Sequence, residues 1–123
     1  MSNTILVVDD EPFMLRLMKY HLEKAGYATI TAGNGRAAVE LATSAHPRLV
    51  VMDIMMAQLD GLAALKELRA NETTRDVPVI MITASASQQT RQQAESSGAT
   101  LFLTKPFSPT QLLDEIRRLA PLR

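Results

Sequence analysis

The sequence predicts an α/β fold: a doubly wound five-stranded parallel sheet with helices on both faces. Short β-branched runs without polar alternation recur along the chain, as strands covered on both faces require. Between them lie amphipathic stretches at helical spacing. A chain of 123 residues accommodates about five such βα units, whereas a closed eightfold barrel needs roughly twice the length. Parallel neighbours need crossover connections, and right-handed crossovers place helices on both faces.

The first strand is TILVV (4–8). A helix follows from Pro12 to Ala25, with Met14, Leu17, Met18, Leu22 and Ala25 at helical spacing, Pro12 in the first turn and Gly26 as the stop. ATITA (28–32) is the second strand; Asn34–Gly35 reads as a turn before a helix over 36–44 whose Ala37, Ala38, Leu41 and Ala42 can pack closely on a sheet. RLVVM (48–52) is the third strand and delivers Asp53, and after Asp60–Gly61 a helix carries Leu62, Leu65 and Leu68. The fourth strand is VPVIMIT (77–83). Residues 87–97 are polar but free of helix breakers, with Gly98 as a C-cap, which predicts a weakly anchored helix. TLFL (100–103) is a short fifth strand, and a last helix over 109–119 turns Leu112, Leu113, Ile116 and Leu119 inward.

Composition narrows the function classes. Thirteen basic and thirteen acidic residues balance, so no broad field is available to hold nucleic acid or an anionic membrane. No cysteine is present, which removes disulfides and thiolate metal sites. Apolar runs such as LVVM (49–52) are far short of a membrane span, and the first four residues lack a signal-peptide pattern. One soluble, cytoplasmic domain over residues 1–123 is expected, with its binding confined to local sites.

In open parallel sheets ligands bind beyond the carboxyl ends of the strands, near the point where strand order reverses. Those ends carry Asp9–Asp10, Asp53 and Thr83, with Lys105–Pro106 two residues past the fifth strand. Each has a plainer role when taken alone: Asp9–Asp10 as a helix cap, Asp53 as a loop acid, Thr83 as strand filler, Lys105–Pro106 as a turn. Their coincidence is what carries information. Three carboxylates in one crevice repel one another and call for a cation. With no histidine or cysteine at hand, the oxygen donors suit magnesium, and calcium less well because few further ligands are available. Lys105 suits a phosphoryl oxygen as a point charge, and Thr83 adds a hydroxyl donor.

Together, ILVVDDE, LVVMDIMM, DG, ITA and LTKPF occur in this order across the chain, and the sequence resembles the receiver domain of two-component response regulators, a (βα)5 flavodoxin-like fold. The resemblance implies that Asp53 accepts a phosphoryl group from a sensor histidine kinase or phosphotransfer protein. It implies a magnesium ion held by Asp10, Asp53 and the Met55 carbonyl, with Asp9 acting through a metal-bound water. It further implies that Lys105 and Thr83 contact the phosphoryl group, that Ala84 keeps the approach open, that Lys105–Pro106 is cis, and that Phe102 swings inward as Thr83 moves. The output would be the face of the fourth helix, fifth strand and fifth helix, acting on a protein partner or a fused output domain. Ala57 departs from the family's usual proline, while Met55 and Ser85 occupy positions that influence phosphoryl hydrolysis. Thr100 and Leu101 stand where receivers joined to winged-helix domains carry an acidic pair, so an apolar contact or a different dimer is expected there.

Two rival readings are weaker. A phosphohydrolase with an aspartate nucleophile after the first strand needs a second aspartate two residues on, where this chain has Glu11. A small flavin-binding module needs a hydroxyl- and glycine-rich phosphate loop and aromatic residues; VVDDEPF provides no such loop, and the chain has three Phe and two Tyr.

Overall fold

The computed structural model describes residues 3–56, 60–84 and 87–123. Among these, five strands and five helices alternate: β1 (Thr4–Val8), α1 (Pro12–Lys24), β2 (Ala28–Ala32), α2 (Gly35–Ala45), β3 (Leu49–Asp53), α3 (Gly61–Ala70), β4 (Val79–Thr83), α4 (Gln88–Ser96), β5 (Leu101–Thr104) and α5 (Pro109–Leu119). All strand pairs are parallel, in the order β2-β1-β3-β4-β5. The chain therefore reverses direction across the sheet between β1 and β3.

Burial follows from this order. The central strands β3 and β4 are buried throughout their lengths, as their unbroken apolar runs require, whereas the edge strands β2 and β5 are partly exposed. One face of the sheet packs Leu6, Val8, Val50, Met52 and Met81 against Ala38 and Ala42 of α2, Leu65 and Leu68 of α3, and Ala94 of α4. The other packs Ile5, Val7, Val51, Ile80 and Ile82 against Met18 and Leu22 of α1 and Leu112 and Ile116 of α5. Alanines on α2 let that helix lie close to the strands.

The helix boundaries show what local chemistry adds to periodicity. Asn34 is the N-cap of α2 rather than part of a free turn: its side-chain oxygen accepts the Ala37 N–H at 2.8 Å, so the helix begins at Gly35. Asp60, Ser87 and Ser108 cap α3, α4 and α5 in the same way. Gly26 and Gly98 have φ of 104° and 103°, a region open to glycine without Cβ strain, and close α1 and α4. β4 starts at Val79 rather than 77, because Val77 N–H is spent on the Thr74 carbonyl and Pro78 has none to give.

α4 is the least anchored helix, since Ala94 is its one buried residue. Its C-terminal end is nevertheless tied down. Arg69 of α3 donates from Nε to the Gly98 carbonyl at 3.0 Å and from Nη1 to the carbonyls of Arg75 and Val77 at 3.0 and 2.6 Å. The backbone amides of α4 are expected to exchange with deuterium well before those of β3 and β4. Hydrogen-exchange mass spectrometry checks this, and equal protection across the three segments would refute it.

Candidate functional site

The β1–β3 register pairs Val8 with Met52, so the next residues, Asp9 and Asp53, leave neighbouring strands side by side where the strand order reverses. Both are buried, at 2% and 6% exposure. One oxygen of each is held by backbone: Asp9 Oδ1 accepts the Glu11 N–H at 3.0 Å and Asp53 Oδ1 the Met55 N–H at 2.9 Å. The other oxygens face one cation. Lys105 Nζ lies 2.7 Å from Asp53 Oδ2 and 3.5 Å from Asp9 Oδ2.

Lys105 is placed by β5: its N–H donates to the Thr83 carbonyl at 2.7 Å, and the following peptide bond to Pro106 is cis. Thr83 is buried at the end of β4, beside the end of β3. The structure thus brings together Asp9, Asp53, Lys105 and the backbone of Thr83. Asp10 is exposed, and among the described residues no three histidine, cysteine or acidic side chains form a group able to hold a metal ion. In this arrangement the Lys105 ammonium compensates the acidic pair. The chemistry of the donor set still suits a hard divalent ion, since every charged donor here is a carboxylate oxygen. Ala57 and Ser85 lie outside the described residues.

Burial raises the pKa of Asp9; the Glu11 N–H and the Lys105 charge act against this without cancelling it, and the Asp53 charge reinforces it. For Lys105, burial alone would lower the pKa, but the hydrogen bond and charge of Asp53, with Asp9 behind it, outweigh burial and raise it. The ammonium is therefore charged at neutral pH.

One contact escaped the sequence reading of Asp60–Gly61. Gly61 N–H donates to the Ile54 carbonyl at 2.9 Å, and a Cβ on Gly61 would stand 2.3 Å from the Asp53 carbonyl oxygen and 2.8 Å from the Ile54 Cα. The start of α3 thus bears directly on the backbone of Asp53. Spacing alone marks this glycine as a turn; only the fold shows what it approaches.

A family model described as the response regulator receiver domain matches residues 5–117. The chain belongs to this family. The receiver domain is 38% identical over 112 residues to the alkaline phosphatase synthesis transcriptional regulatory protein PhoP of Bacillus subtilis, a match covering 91% of this chain and 46% of that protein. It is also 38% identical over 115 residues to the DNA-binding dual master transcriptional regulator RpaA of Synechocystis, covering 94% and 48% respectively. The chain spans about half the length of the curated relatives it matches. Among solved structures, Vibrio cholerae chemotaxis protein CheY4 superposes with a TM-score of 0.91 at 30% identity, over 97% of this chain and 99% of that one. The receiver domain of sensor histidine kinase PA1611 from Pseudomonas aeruginosa, described with a magnesium ion coordinated in its active site cleft, gives 0.90 at 31% identity, over 99% and 100%. The sheet order is thus that of a two-component receiver, a signalling domain.

Two outcomes follow from this geometry. Gly61→Ala is expected to displace the Asp53–Ile54 backbone and cost about 1–3 kcal/mol, read from urea denaturation; an unchanged midpoint would show that α3 can retreat freely. The raised Asp9 pKa means that the native state holds its proton more tightly than the unfolded chain. That contribution to stability is complete below the unfolded value and is lost as pH rises through the folded one. In magnesium-free buffer Asp9→Asn should therefore melt higher than wild type at pH 7, with the gain shrinking as pH falls towards about 4. A lower melting temperature at pH 7 would mean that attraction to Lys105 outweighs burial.

Proposed function

We propose that Asp53 is the phosphoacceptor of this receiver domain. The observation that carries the reading is the 2.7 Å contact between Lys105 Nζ and Asp53 Oδ2 in a buried strand-end site shared with Asp9. A carboxylate oxygen of Asp53 attacks the phosphorus of a donor; the bond from phosphorus to the donor's leaving group breaks, and an acyl phosphate forms. The ammonium that now faces Asp53 then pairs with a phosphoryl oxygen, and the Thr83 hydroxyl donates to another. Ala84, exposed beside Thr83, leaves the approach open.

Asp10, Asp53 and the Met55 carbonyl are the groups that would hold magnesium, with Asp9 supporting them. When bound, the ion supplies positive charge that offsets the phosphoryl oxygens. The all-oxygen donor set supports this, as does the magnesium described for the PA1611 receiver. The domain promotes its own phosphorylation and dephosphorylation and turns over no separate metabolite.

The donor is a phosphohistidine on a sensor kinase or phosphotransfer protein. An apolar groove of about 440 Å³ between α1 and α5, with Leu17, Phe107 and Leu113 in its walls, opens beside Lys105 and suits such a protein's helix. The signal leaves through α4, β5 and α5 to a partner or a fused output domain, in the cytoplasm, and residues 1–123 act as one domain. The Bacillus and Synechocystis relatives, named as transcriptional regulators and about twice as long, support an output of that kind.

Intact mass after incubation with acetyl phosphate tests the assignment. Wild type with magnesium is expected to gain one phosphoryl adduct, and none when the metal is chelated before the donor is added, while Asp53→Asn gains none. An adduct of equal yield on Asp53→Asn would refute it.

A further inference from the structure

Phe102 and Thr83 share one face of the sheet. The β4–β5 register pairs Met81 with Phe102 and Thr83 with Thr104, and alternate residues of a strand point the same way, so Thr83 and Phe102 are diagonal neighbours. The Phe102 ring is half-buried, packed against the core on the α2–α3–α4 side of the sheet. Above it stands a cation: Arg91 Cζ lies 5.2 Å from the ring centroid. Among the described residues Arg91 forms no ion pair, although Glu95, one turn further along α4, lines the same surface cleft. The guanidinium is therefore committed to the ring rather than to a carboxylate.

The placement of Arg91 along α4 matters as much as its charge. The far end of α4 is tied to α3 by Arg69 through Gly98, whereas Arg91 lies in the first half of the helix, next to Thr90, which lines a surface cleft with Thr83. Movement of the ring towards Thr83 cannot occur without parting it from Arg91 or bringing the start of α4 along.

We propose that Arg91 is a latch: it holds Phe102 in its present place beneath the guanidinium and sets how readily the unphosphorylated domain reaches its activated state. The inference rests on the reading of Asp53 as phosphoacceptor and of Thr83 with Phe102 as its switch. A phosphoryl group on Asp53 favours the state in which Thr83 has moved to meet it, and a contact made only in the other state opposes that shift. Arg91 makes such a contact. Removing it raises the population of the state that accepts the phosphoryl group.

The test is the initial rate of acyl-phosphate formation from acetyl phosphate and magnesium, read by intact mass on wild type, Arg91→Gln, Arg91→Lys, Phe102→Leu and the Arg91→Gln/Phe102→Leu double variant. A cation–π contact at a half-exposed site corresponds to roughly a two- to fivefold effect. Arg91→Gln is expected to be faster than wild type by that factor, and Arg91→Lys to fall between the two. In the Phe102→Leu background the Arg91→Gln gain should vanish, because the ring it acts through is gone. Loss of a positive charge alone would slow reaction with an anionic donor, so a faster variant cannot arise from altered attraction. An unchanged or slower Arg91→Gln, in a protein whose wild type is modified on Asp53, overturns the latch and leaves the acceptor assignment standing. A gain that persists without Phe102 also overturns it. Absence of any adduct on wild type removes both readings together.

Discussion

A lysine ammonium held between two buried carboxylates is the constraint on which the rest of the site depends. Parallel pairing of β1 with β3 leaves no freedom in where Asp9 and Asp53 emerge: once Val8 lies opposite Met52, the acids leave adjacent strands in the same layer. Burying two like charges side by side is costly unless a cation is supplied. Lys105 supplies it from the end of β5, two strands away from β3, and the hydrogen bond from its own N–H to the Thr83 carbonyl fixes where the chain turns. The carboxyl ends of β1, β3, β4 and β5 are in this way bound into one polar cluster on an apolar sheet. A change at any of these ends is felt at the others.

The fold was legible because the strands are buried on both faces and so spell continuous apolar runs. β1, β2 and α5 lie where the periodicity puts them. The deviations lie at element ends: β3 and β5 each run one residue later than 48–52 and 100–103, the Asn34 side chain starts α2 a residue early, and Pro78, which cannot donate, delays β4. The acids and Lys105 were legible as a coincidence of polar residues at strand ends. Contacts between residues far apart in sequence were not. Nothing in the spacing of Asp60–Gly61 reveals that a missing Cβ lets α3 abut the Asp53 backbone, and the lone cation in QQTRQQ becomes informative only when the β4–β5 register sets Phe102 beneath it. The Asp10 carboxylate marks another boundary of sequence reasoning, because adjacency to Asp9 does not confer its burial.

Stability is distributed unevenly around this sheet, and the distribution has a functional sense. α1 and α5 each bury two large apolar side chains against the same face, and Tyr27 Oη donates to the Ala120 carbonyl at 2.8 Å, fastening the end of α5 to the start of β2. α4 buries one alanine and leans on β5, an edge strand with a single buried residue. Charge added at Asp53 can shift only those elements whose two arrangements differ by no more than the interaction energy it brings, a few kcal/mol. The packed faces around β3 and β4 are far outside that range, since repacking any one of their large side chains costs about as much. The α4–β5 edge is within it. The place proposed for the switch is therefore where the core ends: an edge strand, a helix held at one end by Arg69, and an aromatic ring with a single guanidinium over it.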